Sequence, residues 1–324
     1  MTKKVKIKLI EYIITLLIII TLNFILPRLM PGDPFLFISG DQGQDVMYSE
    51  EQRQQYLDYY GLNKPVEKQY FSYLKRIVKL DLGTSLYYNQ SVIKLILRRL
   101  KWTFFMVVSA EIIATTMSII LGAISAWYKD SFIDKILYFK LILFSEIPSF
   151  LLGLMLLFVF AADLNLFPLS GAMSHYMEFN SLWAKTLDIL AHAVLPVTAL
   201  ALSRLGSYYL LCRNSIISVL EKRYIKTAQA KALSKMRIML AYVIRNSLLP
   251  VITRLFLSLG TLIGGAILVE NVFAYPGLGL LLRESVMMRD YPLIQGIFLI
   301  ISILVLTANF LADSIYKRID PRIK

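Results

Sequence analysis

The stretch Thr103-Phe-Phe-Met-Val-Val-Ser-Ala-Glu-Ile-Ile-Ala-Thr-Thr-Met-Ser-Ile-Ile-Leu-Gly-Ala-Ile-Ser-Ala-Trp127 decides the fold class, because its only charged residue is Glu111. An α-helix rises about 1.5 Å per residue, so about 20 apolar residues cross a hydrocarbon core of roughly 30 Å. This stretch is long enough to do so. It is therefore predicted to be a membrane-spanning helix.

Apolar runs of similar length recur along the chain, and six are predicted to span the membrane. The predicted spans are Leu9–Met30, Thr103–Trp127, Ile136–Ala162, Leu187–Leu211, Ser247–Val269 and Leu293–Tyr316. The first run is followed by Pro31-Gly-Asp-Pro34 rather than by small residues typical of a cleavage site, so we expect it to be retained. The fold class is an all-α membrane protein.

Composition supports this class and excludes others. The 324 residues are 57% hydrophobic, well above the roughly 45–50% of soluble domains. The net charge of +13 is not attributed to nucleic-acid binding, because a soluble basic binder would not carry so much apolar surface. The single cysteine, Cys212, excludes an internal disulfide and a CxxC zinc site.

The distribution of Lys and Arg predicts the orientation. Basic residues are frequent in segments 3–8, 129–140, 213–245 and 317–324, whereas the loop 163–186 has only Lys185 beside Asp163 and Glu178. The segment 31–101 is also rich in basic residues, but it carries acidic residues beside them, and loops of that length are only weakly constrained by the rule. Because Lys and Arg are retained on the cytoplasmic side, both termini are predicted to be cytoplasmic. The predicted division is 1–30 (tail and first span), 31–101 (extracytoplasmic segment), 102–316 (five-helix core with loop 213–246) and 317–324 (cytoplasmic tail).

The segment 31–101 is predicted to be helical rather than slack. Ser49 and Gln52 form a capping-box pattern, and Pro65 suits the first turn of a second helix. The apolar residues of that second helix recur at helical spacing; they are Tyr70, Leu74, Ile77 and Val78. The segment is interpreted as a structural cap over the membrane helices, with contact to a delivery protein as the alternative.

Charged residues within spans are costly and usually face the bundle interior. Glu111 and Arg204 lie deepest, and we hypothesise that they pair or line a translocation pathway. For the other two, Glu146 and Arg254, the alternative is a position near a helix end, from which a long side chain reaches the interface.

Prolines and glycines within the spans predict bends and close helix contacts. The prolines are Pro148, Pro196 and Pro250, and the glycines, all on the fifth predicted span, are Gly260, Gly264 and Gly265.

Residues that could carry catalysis are scarce. The two histidines, His175 and His192, have no metal-ligand spacing, and there is no P-loop sequence. The chain is therefore expected not to be an enzyme and to bind no metal or cofactor. Any ATP and Mg²⁺ would be used by a partner subunit.

The most specific segment is Glu221-Lys-Arg-Tyr-Ile-Lys-Thr-Ala-Gln-Ala-Lys-Ala-Leu-Ser-Lys235. Helix-forming residues and the potential cap Ser234 predict a helix, a tight turn and a second helix. Small residues at the turn would let a partner approach the backbone, and the flanking Lys and Arg would supply charge.

The chain resembles the B-type inner-membrane permeases of ABC importers for dipeptides, oligopeptides and nickel. The loop is similar to their EAA signature, with Lys226-Thr-Ala228 at the EAA position and Ala232 in place of the signature glycine. Further similar stretches are Arg28–Pro34, Tyr59–Pro65, Asp81-Leu-Gly83, Val269–Gly279 and Asp320-Pro-Arg322.

The resemblance implies a type I permease fold in the inner membrane of a prokaryote. It implies a second homologous permease, two cytoplasmic ATPase subunits and an extracytoplasmic solute-binding protein as partners. The ATPase-coupling residues it implies are Tyr224, Lys226, Thr227, Ala228, Gln229, Ala230, Lys231 and Ala232. We expect a peptide permease, with nickel or a metal chelate as the alternative substrate. A docking or regulatory protein without transport is the alternative of another class.

Overall fold

The structure is a computed structural model that describes residues 3–29, 51, 54, 63–174, 179 and 181–319. In these ranges the regular elements are helices, and the single β-bridge joins Thr84 to Ser91. The α-helices are α1 (Lys3–Leu29), α2 (Val66–Val78), α3 (Val92–Trp127), α4 (Phe132–Glu146), α5 (Ser149–Leu156), α6 (Leu182–Leu220), α7 (Arg223–Ala230), α8 (Lys235–Arg237), α9 (Arg245–Val272), α10 (Leu278–Met287) and α11 (Tyr291–Ile319). A π-helical segment Leu157–Asp163 continues α5, and another, Ile238–Ile244, joins α8 to α9. The predicted all-α class is confirmed.

Among the described residues, five helices are long and apolar enough to cross a membrane, and a bent pair makes a sixth span. The five apolar stretches are Ile10–Leu29, Val92–Trp127, Leu182–Leu220, Lys235–Leu255 and Tyr291–Ala312. The prediction of six spans agrees with the structure when the bent pair is counted as one.

The five uninterrupted long helices are all longer than the predicted spans, and two of them exceed the prediction most. Helix α3 begins at Val92 rather than Thr103 and has 36 residues, so the predicted boundary between residues 101 and 102 lies inside a continuous helix. Helix α6 has 39 residues and extends beyond the predicted Leu187–Leu211 at both ends. Apolar runs mark only the part of a helix that hydrocarbon covers, so they underestimate helices that continue into polar surroundings.

The third predicted span, Ile136–Ala162, is not one helix. Helices α4 and α5 meet at a 101° bend. At the break, Ile147 is extended, with φ −82° and ψ 126°, because the proline ring disfavours helical geometry in the preceding residue. Pro196 and Pro250, by contrast, lie inside the uninterrupted helices α6 and α9.

The chain divides into two compact units, the first comprising Met1–Lys101 with Gly277–Leu306. Within it, α2 begins after Pro65, as predicted, and packs along the end of α1. The Phe24 ring lies 5.1 Å from the Tyr70 ring and 5.6 Å from the Tyr73 ring between centroids. The capping-box pair Ser49 and Gln52 lies outside the described residues.

The second unit comprises Trp102–Pro276 with Thr307–Lys324. Its main core draws Met106 from α3, Leu200 and Tyr208 from α6, and Val269 from α9. These apolar contacts hold the three long helices together.

Among the described residues, the structure shows no close helix contact at Gly264 or Gly265, two of the glycines predicted to mediate such contacts. A Cβ at Gly264 would meet no described heavy atom within 4 Å, and one at Gly265 would have only an ordinary contact with Ser149. The close approach occurs instead at Gly206, where a Cβ would collide with the Leu141 carbonyl oxygen and Ser145. The missing side chain at Gly206 lets α6 contact α4 directly.

Candidate functional site

The predicted helix–turn–helix loop is present between α6 and α9. Helix α7 spans Arg223–Ala230, and α8 begins at Lys235. The Arg237 amide donates to Ser234 Oγ at 3.4 Å, which confirms Ser234 as the cap of the second helix. We call residues 221–235 the docking loop.

The turn of the docking loop is a Schellman motif with alanine at its left-handed position. The Ala232 amide donates to the Gln229 carbonyl at 2.9 Å, and the Leu233 amide donates to the Ala228 carbonyl at 3.3 Å. Ala232 has φ +54°. Glycine adopts this conformation freely, whereas a Cβ costs roughly 1 kcal/mol there. This geometry gives a physical reason for the glycine that the resembled signature carries at this position.

The inner face of α7 consists of Ile225 and Ala228, which are 0% and 4% exposed. Both belong to an apolar cluster with Ala126 of α3, Ile216 of α6, and Ile238 and Val243 of the π-helical segment. We call this cluster the loop core. Sequence reasoning grouped Ala228 with residues that a partner could approach, but the side chain of Ala228 is enclosed by this chain itself.

The outer face of α7 and the following turn is exposed. It comprises Tyr224, Lys226, Thr227, Gln229, Ala230, Lys231 and Ala232. Tyr224 is the largest of these side chains, and it is 43% exposed. The docking loop therefore presents a basic surface with one aromatic residue, backed by an apolar inner face.

A buried ion pair lies below the docking loop, between α4 and α6. Arg213 Nη2 contacts Asp134 Oδ2 at 2.6 Å, and Arg213 Nε donates to Asp134 Oδ1 at 2.8 Å. The Ser125 hydroxyl also contacts Asp134 and lies 2.6 Å from the Tyr209 hydroxyl. The two charged side chains are 15% and 5% exposed. A bidentate pair of this kind fixes the relative position of the two helices.

Sequence reasoning missed this pair. Arg213 was counted only as a cytoplasmic positive charge. A signal was present, because Ser131 and Asp134 have capping-box spacing and the Asp134 amide donates to Ser131 Oγ at 3.3 Å. The identity of the Arg partner could not be inferred from that spacing.

Glu111, a predicted pathway residue, is 3% exposed and lies in a polar cluster. Its Oε1 accepts hydrogen bonds from the Tyr208 hydroxyl and from Ser258 Oγ, the latter at 2.7 Å. Glu111 Oε2 is buried without a hydrogen-bond partner among the described residues. Arg204 lies one turn before Tyr208 on α6 and is partly buried. The cluster links α3, α6 and α9, and its role in a pathway remains a prediction.

The other two charged residues predicted within spans are exposed. Glu146 is the last residue of α4, and Arg254 lies on the surface of α9. Both positions agree with side chains that reach outward rather than into the bundle.

Sequence reasoning also missed Glu270, which is fully buried near the end of α9. Thr103 Oγ1 donates to Glu270 Oε1 at 2.6 Å, and the Tyr275 amide donates to the Glu270 carbonyl at 2.8 Å. The Tyr275 ring packs edge-on against Trp102, with centroids 5.9 Å apart. These contacts fix the Val269–Gly279 motif. The sequence signal for this site was Glu270 itself, an acidic residue at the end of an apolar run.

In the first unit, Asp290 caps α11 and holds the turn between Thr84 and Ser91, which precedes α3. Its Oδ1 accepts from the Leu293 amide at 3.1 Å, and its Oδ2 accepts from the Tyr87 amide at 3.1 Å and from the Ser85 hydroxyl. Burial raises the pKa of Asp290 above its ordinary value. An Asp immediately before Tyr291-Pro292 at a helix start was the sequence signal for this cap.

Six apolar spans and a basic loop that projects from two of them are typical of the membrane-embedded subunits of transporters. Residues 118–324 match the family described as "Binding-protein-dependent transport system inner membrane component". This match covers more than half of the chain, and the chain belongs to that family.

Full-length relatives agree with this assignment. The chain is 36% identical over 310 residues to the oligopeptide transport system permease protein AppB of Bacillus subtilis, covering 95% of each protein. It is 32% identical over 319 residues to the dipeptide transport system permease protein DppB of Escherichia coli K12, covering 94% of this chain and 93% of that one. It is 34% identical over 317 residues to the glutathione transport system permease protein GsiC of Pectobacterium atrosepticum, covering 98% and 97%.

A solved structure shares the fold. The inward-facing MetNI methionine ABC transporter matches with a TM-score of 0.53 and 14% identity, covering 70% of this chain and 97% of that chain. The resemblance stated from the motifs is confirmed, as is the location in the inner membrane. The motif residues within 30–50, 55–62 and 320–324 lie outside the described residues.

Proposed function

We propose that this chain is a permease subunit of an ATP-driven importer and forms half of the translocation pathway for dipeptides and oligopeptides. The observation that carries this proposal is the 36% identity to an oligopeptide permease over 95% of both chains. Relatives that carry dipeptide and glutathione in their names support the same substrate class. The proposed partners are a second permease, two ATPase subunits and a solute-binding protein.

The outer face of the docking loop is proposed to contact one ATPase subunit. Tyr224 and Lys226 would make that contact, because they are exposed and combine an aromatic ring with a positive charge. The hydrolysed nucleotide and its Mg²⁺ would belong to the ATPase. This chain would contribute only the docking surface.

The inner face of α7 is proposed to transmit movements of the ATPase subunit to the membrane spans. The loop core joins α7 to α3, α6 and the segment leading into α9. A displacement of α7 would therefore act on three spans together. Such a displacement shifts the equilibrium between two pathway conformations only if the ATPase binds the two conformations with different affinities.

The experiment that tests the substrate class uses the reconstituted complex with the binding protein that co-purifies with this chain. Di- and oligopeptides should be bound by that protein and should stimulate ATP hydrolysis and uptake in proteoliposomes. If nickel or metal chelates do so and peptides do not, the alternative substrate replaces peptides. If the partners assemble but no solute is transported, the chain is a docking protein and the proposal is wrong.

A further inference from the structure

A cavity of about 170 Å³ lies in the first unit and is unrelated to the docking loop. Its lining includes Arg28 from the last turn of α1, Lys68, Tyr73 and Arg76 from α2, and Tyr291 from the first turn of α11. An engineered cavity of about 150 Å³ holds a benzene-sized ligand. The space is therefore sufficient for a phosphate-sized group.

The lining carries an excess of positive charge. It contains Arg28, Lys64, Lys68 and Arg76 but only one carboxylate, Asp81. Asp81 Oδ2 lies 3.0 Å from Arg76 Nε, so this carboxylate is already paired. Lys64 and Lys68 have no ion pair with any described residue. Three positive charges around one cavity repel each other unless an anion compensates them.

Arg28 and one further side chain, Tyr73, offer hydrogen-bond donors to the cavity region. Arg28 donates to Gln69 Oε1 at 2.7 Å and lies over the Phe24 ring at 3.5 Å, which holds its guanidinium in one place. The Tyr73 hydroxyl is buried and has no hydrogen-bond partner among the described residues. Burial raises the pKa of Tyr73 to about 12, so the hydroxyl remains protonated at neutral pH and can donate.

The position of the cavity identifies the class of ligand. Arg28 and Tyr291 are at the adjacent ends of two apolar spans, Ile10–Leu29 and Tyr291–Ala312. The level at which spans leave the hydrocarbon is where phospholipid phosphates lie. On the same turns of α1, Leu26 and Leu29 are 48% and 72% exposed, which offers apolar surface for acyl chains beside the charged cavity.

We propose that this cavity binds the phosphate group of an anionic ligand, with Lys64, Lys68, Arg28 and the Tyr73 hydroxyl as its contacts, and that a membrane phospholipid supplies the phosphate. The phosphate balances the excess charge and accepts the hydrogen bond that Tyr73 can donate. The exposed leucines of α1 accommodate the lipid tails.

The test titrates phosphatidylglycerol into the purified full-length chain in mild detergent and follows lipid retention by native mass spectrometry. One lipid should bind saturably. The double variant Lys64→Gln/Lys68→Gln should bind it about tenfold more weakly, because each basic residue near a phosphate contributes up to about 1 kcal/mol. The matched control Lys75→Gln/Lys79→Gln removes the same charge from exposed positions of the same segment that do not line the cavity, and should change binding less than twofold.

A second variant, Tyr73→Phe, leaves the charge unchanged and removes only the unpartnered hydroxyl. Binding should weaken about threefold to tenfold. Equal weakening by the two lysine pairs, or the absence of saturable binding, would overturn the proposal. If millimolar inorganic phosphate displaces the lipid with the same dependence on Lys64 and Lys68, the phosphate site stands and its source is the free ion rather than a lipid.

Discussion

The docking loop and the Glu111 cluster use opposite arrangements of polar and apolar side chains. In the docking loop, the apolar residues Ile225 and Ala228 are enclosed and the polar residues face outward. In the Glu111 cluster, the polar groups Glu111, Tyr208 and Ser258 are enclosed between long helices whose outer surfaces are apolar. The first arrangement is that of a soluble protein surface, and the second is that of a membrane bundle.

This difference predicts which substitutions should change stability and which should change function. Substitution of a polar residue on the outer face of the docking loop removes few contacts within the chain and should therefore change its stability little. A polar residue buried between spans leaves a partner unsatisfied when it is removed. We therefore expect substitutions in the bundle to act on folding, and substitutions on the outer face to act on partner binding alone.

The largest effect on stability is expected for Arg213→Ala. This change leaves the Asp134 carboxylate buried without its bidentate partner, and breaking such a pair costs about 3–5 kcal/mol. Thermal unfolding of the purified protein in detergent should show a large drop in midpoint. Arg237→Ala, at an exposed position of α8, is the control and should unfold like the wild type. Similar loss in both variants would show that the Asp134 pair is not a stability element.

The next effect is expected for Glu111→Ala. The Tyr208 and Ser258 hydroxyls lose their common acceptor, which costs about 1–3 kcal/mol. Glu111→Gln keeps an acceptor oxygen and should recover most of the unfolding midpoint. Uptake by the complex containing the Gln variant then tests the pathway hypothesis separately, since the charge is removed while the cluster remains. Wild-type uptake would exclude a role for the Glu111 charge in translocation.

Two alanines of the docking loop test its two faces. Ala228→Leu overfills the loop core, and overpacking of a close-packed site costs about 1–3 kcal/mol. Ala230→Leu adds the same volume at an exposed position of the same helix and should leave the unfolding midpoint unchanged. If both variants unfold alike, the inner face does not hold α7 in place and the two-face description is wrong.

The fold was largely predictable because the membrane requires long apolar runs. Six spans, the start of α2 after Pro65 and the helix–turn–helix of the docking loop follow from apolar length, proline position and capping residues. The break at Pro148 and the continuity at Pro196 and Pro250 do not follow, since all three prolines have the same local effect. The outcome depends on tertiary packing, which no local pattern contains.

The candidate sites were predictable only in part, for a related reason. The docking loop is local in sequence, so its position and cap were found. The Asp134–Arg213 contact spans 79 residues, and the Thr103–Glu270 contact spans 167. Such partners become neighbours only through helix packing. The burial of Ala228 was missed similarly, because the residues that cover Ala228 come from three other helical segments.

A smaller effect on stability is expected for Lys226→Glu on the outer face. Surface substitutions usually change stability by less than about 0.5 kcal/mol. Binding to the proposed ATPase subunit should weaken about tenfold, because a favourable exposed charge contact becomes a repulsive one. Co-purification and titration measure this binding. Lys129→Glu, exposed between α3 and α4, is the charge-matched control. Unchanged ATPase binding in Lys226→Glu would place the docking contact elsewhere.

The smallest change in a measured quantity, and the only stabilisation, is expected for Ala232→Gly. The φ of +54° strains alanine by roughly 1 kcal/mol, whereas glycine adopts it freely. Glycine also has more conformational freedom in the unfolded chain, which offsets part of the removed strain. The net increase in the free energy of unfolding should be about 0.5 kcal/mol. Hydrogen exchange of the Leu233 amide, which donates to the Ala228 carbonyl, should slow about twofold. Ala230→Gly lies within helix α7, where glycine is unfavourable, and should accelerate exchange at the same amide. Changes of the same sign in both variants would show that the turn, unlike the buried clusters, does not depend on the backbone geometry at residue 232.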